Sequence, residues 1–186
     1  MPKRIMVFGS HSPRPGDGDY EEALVLGRAL AEAGFDVATG GYGGTMEAAL
    51  RGTVEGGREA YGYTCEIFRA AANSYVRREV TSNTLFERIE NCLDSCDGYV
   101  VLKGGTGTLL ELAACWEMFN KKMIPPKPVV CLGDFWRPVV GTLACEPSIE
   151  NLDTLRPVST SSADSIDFAA DAARAVAILI ARLGDN

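Results

Sequence analysis

The chain has a single histidine, His11, and its six cysteines (Cys65, Cys92, Cys96, Cys115, Cys131 and Cys145) contain no C-x-x-C pair. A thiol and imidazole metal site therefore lacks a ligand set, and the cysteines read as reduced core thiols. Basic residues are outnumbered, 18 against 25 acidic, which gives a net charge of -7. A protein that grips a nucleic acid polymer needs the opposite balance. No apolar run approaches the ~18 residues of a membrane span, and MPKRIMVFGS runs straight into a strand-like segment without the pattern of a signal peptide. The expectation is a cytoplasmic protein with no membrane partner. A G-K-[ST] P-loop is absent, as is a G-x-G-x-x-G turn after the first strand, so neither an NTPase nor a dinucleotide fold has its fingerprint. Repeats and low-complexity tracts are missing too.

What is present is the composition of an ordinary folded domain. At 186 residues, with 46% hydrophobic and 23% charged residues, the chain can build one well-cored domain over residues 1–186. Strand-like runs cover 4–9, 36–39, 60–64, 98–102, 128–132 and, more weakly, 156–159. Helical patterns cover 20–33, 45–54, 84–96, 108–120 and 163–183, the last with Ala170, Ala173, Val176, Ala177 and Ile180 at helical spacing. Strands alternating with helices indicate an α/β protein, a parallel sheet covered on both faces. Residues 10–18 and 65–82 fit neither pattern and read as loops bordering the crevice at the carboxyl ends of the strands.

Glycine-rich turns follow strands at GSHSPRPGDG (9–18), GGYGGT (40–45) and KGGTGT (103–108). Their convergence at strand ends favours a phosphorylated ligand, a mononucleotide in preference to a dinucleotide. In the third turn a helix start aims backbone N–H groups and the positive end of the helix dipole at the turn. Thr108 and Glu111 also match a capping box, which needs no ligand. On the preceding helix Leu85, Ile89, Cys92 and Cys96 mark an apolar face, with Arg88 at its edge. The guanidinium either meets a carboxylate or a phosphate, or packs its stem and reaches water. Thr84 and Glu87 form a second capping box.

The run RIENCLDSCDGYVVLKGGTGTLLE (88–111) resembles the signature of the Lonely Guy family, in which an arginine precedes a P-G-G-x-G-T-x-x-E turn. GGYGGTMEAA resembles that family's second glycine motif and 7–41 its N-terminal unit. The resemblance covers roughly the first 140 residues. It implies a Rossmann-like, three-layer, doubly wound sheet of about six or seven strands, a homodimer or dimer-based oligomer, and no metal or organic cofactor. The implied activity is hydrolysis of the N-glycosidic bond of AMP or cytokinin-type nucleotides, releasing base and ribose 5-phosphate. By the same resemblance Arg88 and Glu111 are the catalytic residues. Gly104, Gly105, Thr106, Gly107 and Thr108 form the phosphate turn, and Gly9, Ser10, Gly41, Gly43, Gly44 and Thr45 line the nucleotide. The alternative is a non-catalytic binding protein of the same superfamily, akin to molybdenum-cofactor carriers.

Three positions depart from the motif. Lys103 replaces its proline, Ile89 the lysine after the arginine, and Leu110 the first of paired glutamates. Lys103 either adds charge beside a phosphate or points to water. His11 is a loop histidine within reach of a ligand or simply solvated, and Arg77 and Arg78 are loop cations that either close over a phosphate or stay in solvent. Trp116, Met118 and Phe119 are expected in the core or at a dimer contact.

Overall fold

The computed structural model describes residues 2–144 and 166–184. Among these the elements run β1 (Arg4–Phe8), α1 (Gly18–Glu32), β2 (Asp36–Thr39), α2 (Thr45–Glu55), β3 (Ala60–Cys65), a short 3-10 turn (Glu66–Phe68), β4 (Arg78–Ser82), α3 (Leu85–Ser95), β5 (Gly98–Val101), α4 (Thr106–Asn120), β6 (Val129–Leu132), α5 (Arg137–Ala144), β7 (Ile166–Ala169) and α6 (Ala172–Leu183). The described strands form one sheet of seven, all parallel, in the order β4-β3-β2-β1-β5-β6-β7. This is an α/β, Rossmann-like arrangement.

Side chains alternate across each central strand and so divide the core in two. Ile5 and Val7 of β1, with Val100 of β5 and Val130 and Leu132 of β6, pack against Leu26, Leu30, Leu50 and Leu179 from α1, α2 and α6. Met6 and Phe8, with Tyr99, Val101, Val129 and Cys131, pack against Ile89, Cys92, Leu112 and Cys115 from α3 and α4. Burial on both faces is why these strands read as unbroken apolar runs. Trp116 and Phe119 belong to the second cluster, and Met118 packs against it.

Strand order sets where a ligand can sit. From β1 the chain builds outward to β4, then returns to place β5 on the other side of β1. The carboxyl ends of β1 and β5 are therefore the topological switch point, where an open parallel sheet leaves a crevice.

Three sequence expectations need correction, and one element is new. Residues 78–82, within the unassigned stretch, form edge strand β4; its REVTS pattern is mostly exposed, so it carries no apolar signal. The helix expected over 163–183 begins only at Ala172, because Asp171 accepts the Arg174 N–H at 2.8 Å as its N-cap, and 166–169 is β7. Its buried face is accordingly Ala172, Ala175, Val176 and Leu179, while Ala173 and Ile180 are exposed. Residues 137–144, which lie in none of the runs above, form α5. Finally, α4 starts at Thr106, with Gly105 at the N-cap and no side-chain cap. Thr108 and Glu111 thus form no capping box, and both are buried. The weak strand at 156–159 lies outside the described residues.

Candidate functional site

A cavity of about 690 Å³ opens where β1, β2 and β5 end. At its lining two charged side chains are buried, Arg88 at 6% exposure and Glu111 at 8%. Arg88 Nη1 lies 3.3 Å from Glu111 Oε1, and Arg88 Nε donates to the Tyr63 carbonyl at 2.6 Å. The guanidinium is therefore clamped between the end of β3 and α4. Space for it comes from Gly40: a Cβ there would stand 2.1 Å from Arg88 Nη2.

Local sequence holds α3 in register for this contact. Thr84 Oγ1 accepts the Glu87 N–H at 3.1 Å, and Glu87 Oε2 accepts the Asn83 N–H at 2.8 Å. Arg88 then rides on the same buried face as Ile89, Cys92 and Leu93. Burial pushes the Glu111 carboxyl up to about 7, with Arg88 pulling the other way. Desolvation wins here because only one partner offsets it. Burial also pushes the nearby Cys92 and Cys115 thiols up, which keeps them protonated and unreactive. Among the described residues no group of three or more His, Cys, Asp or Glu could hold a metal ion.

The turn after β5 forms another wall. Gly105, Thr106, Gly107 and Thr108 line the cavity, and the Thr108 hydroxyl folds back into the space a Cβ on Gly104 would need. A 15-residue helix beginning beside a cavity, with glycine in place of a capping side chain, leaves its first N–H groups for an anion. Gly104 faces a smaller neighbouring cavity instead.

The other two turns divide their labour. Gly9, Ser10 and Gly43 line the larger cavity. Gly41, Gly44 and Thr45 do not line it; they brace it. Thr45 donates to the Ser10 carbonyl through its N–H at 2.8 Å and its hydroxyl at 3.1 Å. Gly44, at φ +72°, passes so close that a Cβ would lie 2.3 Å from that carbonyl oxygen. The Gly41 carbonyl accepts from Asn73 twice, through the backbone N–H at 2.8 Å and Nδ2 at 3.0 Å.

Several lining residues were not legible beforehand. Tyr42, Met46, Phe68 and Ala70 supply an apolar end, and Ser12 and Arg14 a polar one. Tyr42 and Phe68 meet edge to face, 5.7 Å between centroids at 80°, and the Tyr42 hydroxyl accepts the Cys65 N–H at 2.8 Å. An aromatic set between glycines was the available signal for Tyr42, whereas Phe68 sits in a loop without periodicity. His11 lines the cavity and is exposed. Arg77 and Arg78 do not line it: the Arg77 N–H pairs with the Ala60 carbonyl in the ladder, and Arg78 meets Glu59 at 3.2 Å.

The family model for the SLOG cluster4 family matches residues 2–144. The chain belongs to the SLOG cluster4 family. Among curated proteins this SLOG chain is similar to the cytokinin riboside 5′-monophosphate phosphoribohydrolase of Mycobacterium tuberculosis, 26% identical over 179 residues that cover 93% of this chain and 92% of the other. The Lonely Guy resemblance read from 88–111 agrees with that match. Among solved structures, the molybdenum cofactor binding protein of Rippkaea orientalis shares the fold at TM-score 0.75 and 20% identity, covering 98% of each chain. The molybdenum cofactor carrier protein of Chlamydomonas reinhardtii does so at TM-score 0.75 and 21% identity, covering 98% of this chain and 99% of that one.

The departures of this SLOG chain from the Lonely Guy motif have structural addresses. Ile89 is buried against the α3–α4 core, and Leu110 is half-buried beside it. Lys103 is half-exposed and reaches Asp19 of α1 at 3.1 Å. No helix among the described residues is long and apolar enough to cross a membrane.

Proposed function

We propose that the chain is a nucleoside 5′-monophosphate phosphoribohydrolase, cleaving the N-glycosidic bond of AMP or a related nucleotide to free base and ribose 5-phosphate. The observation that carries this reading is the buried Arg88–Glu111 pair in a cavity walled by the N-terminus of α4. The 5′-phosphate would lie against Gly105 to Thr108, where backbone N–H groups and the helix dipole favour an anion. The base would lie toward Tyr42 and Phe68, whose rings offer an apolar face.

Breaking the bond between ribose and base develops positive charge on the sugar, and a fixed carboxylate beside it stabilises that charge. Glu111 supplies the carboxylate when ionised, and water adds at the anomeric carbon as the base departs with a proton. Arg88 is the positioning residue. With Nε on the Tyr63 carbonyl and Nη1 on Glu111, it fixes the carboxylate and favours its charged form. Similarity to the Mycobacterium tuberculosis enzyme supports the same chemistry.

The second reading is a protein that binds a nucleotide or a molybdenum cofactor without cleaving it. One observation favours it: burial holds Glu111 up to about 7, so near neutrality much of it is protonated and unable to stabilise a cation. Incubation with AMP and with its N6-isopentenyl analogue, reading free base by chromatography beside Glu111→Ala, separates the two. Base release abolished by the substitution supports the hydrolase; ligand binding without release by the wild type supports the carrier.

A further inference from the structure

Residues 66–72 follow β3 and contribute Phe68 and Ala70 to the cavity wall. Both ends of this segment are anchored. At one, the Tyr42 hydroxyl accepts the Cys65 N–H at 2.8 Å and donates to the Cys65 carbonyl at 3.2 Å. At the other, Asn73 Nδ2 donates to the Gly41 and Tyr42 carbonyls at 3.0 and 2.8 Å. Among the described residues the one hydrogen bond of the stretch between is internal, Arg69 N–H to the Glu66 carbonyl at 3.1 Å. Its apolar side chains are open to solvent: Ile67 is 62% and Phe68 47% exposed. Arg69 holds φ +49°, a left-handed conformation that is unfavourable for a residue with a Cβ. Few buried contacts and few hydrogen bonds mark a unit able to move by itself.

The aromatic pair shows which partner moves. Tyr42 is fixed through its hydroxyl and its carbonyl, whereas Phe68 lies between the anchors. Their rings meet at 80°, which leaves no slot for a planar base. A base held between two ring faces needs them near parallel and about 7 Å apart, two contacts of ~3.5 Å. We propose that residues 66–72 form a flap, hinged at Cys65 and Asn73, that swings Phe68 off Tyr42 and folds it over the base of a bound nucleotide. This rests on the nucleotide reading of the cavity. Stacking of a base on an aromatic ring outweighs one edge-to-face contact, so the ligand itself drives closure. Ala70, Ala71 and Ala72 are small enough to let the flap backbone approach closely. A ligand that lacks a base gives the flap nothing to close on.

The test uses the full chain carrying Glu111→Gln, which retains the cavity while preventing turnover, with AMP and with ribose 5-phosphate as probes. Arg69 does not line the cavity, so trypsin cleavage after it reports movement of the flap and not contact with the base. Saturating AMP should slow that cleavage at least about tenfold, and ribose 5-phosphate should leave it unchanged. Cleavage after Lys122, just beyond the far end of α4, is the internal reference and should not respond to either. In calorimetry, Phe68→Ala should weaken AMP binding about tenfold or more. AMP that binds without slowing cleavage after Arg69, equal protection by ribose 5-phosphate, or unchanged AMP affinity in Phe68→Ala refutes the flap while the nucleotide site stands. Failure of AMP to bind at all refutes the two together.

Discussion

Glu111→Gln removes one ionisation from the core while keeping the shape of the side chain and an oxygen for Arg88. In the folded chain the carboxyl titrates at about 7, against an ordinary 4.5, because burial outweighs the Arg88 contact. A folded-state value above the unfolded one means that folding binds a proton between those limits. The stabilising contribution is therefore complete below about 4.5 and disappears as pH rises toward about 7. The stability of the wild type minus that of Glu111→Gln should fall by about 3 kcal/mol across that window, at no more than about 1.4 kcal/mol per pH unit, and then level off. All other titrating groups are common to both proteins and cancel to first order. Urea unfolding is the suitable assay, since urea leaves charge interactions unscreened, and the buried indoles of Trp116 and Trp136 report loss of the core. A stability difference independent of pH, or one in which the wild type gains as pH rises, would refute the reasoning: Arg88 would then be holding Glu111 ionised throughout.

Other perturbations test neighbouring parts of the account. Arg88→Met leaves Glu111 buried without its cation, so it should cost about 3–5 kcal/mol at a pH above the Glu111 transition and clearly less below it, read by the same unfolding series. Gly40→Ala places a methyl against Arg88 Nη2 and Met46 Sδ, the mobile ends of two side chains. The fold should survive with a loss of about 1–3 kcal/mol, while ligand-dependent activity falls by at least about tenfold. Thr84→Ala removes the cap of α3 and should cost about 1 kcal/mol, lowering the melting temperature by about 2–4 °C in calorimetry.

Legibility in the sequence followed burial. Strands β1, β5 and β6 are covered on both faces, so RIMVF, GYVV and VVCL announce themselves as apolar runs. Among the described strands the edge strand β4 has one neighbour, and its side chains are mostly exposed, so nothing in REVTS separates it from a polar loop. Thr108 and Glu111 fit a capping box by spacing alone, yet a helix that starts two residues earlier turns Glu111 inward; Gly104 and Gly105 make that earlier start accessible. Arg88 illustrates the limit most clearly. Helical periodicity put it at the edge of an apolar face, and only Tyr63 and Gly40, distant in sequence, explain why it is buried. The Tyr42–Phe68 wall joins residues from two separate loops, and no local pattern could have paired them.

The central claim is that an ionised Glu111, held by Arg88 beside the α4 turn, drives cleavage of the glycosidic bond. It is tested most directly by measuring free adenine released from AMP between about pH 5.5 and 8.5 by the wild type and by Glu111→Gln. The account predicts equimolar adenine and ribose 5-phosphate, a rate that rises with pH and levels off above about 7, and no release by the variant. Release that Glu111→Gln retains, or a wild type that releases none at any pH, would contradict it.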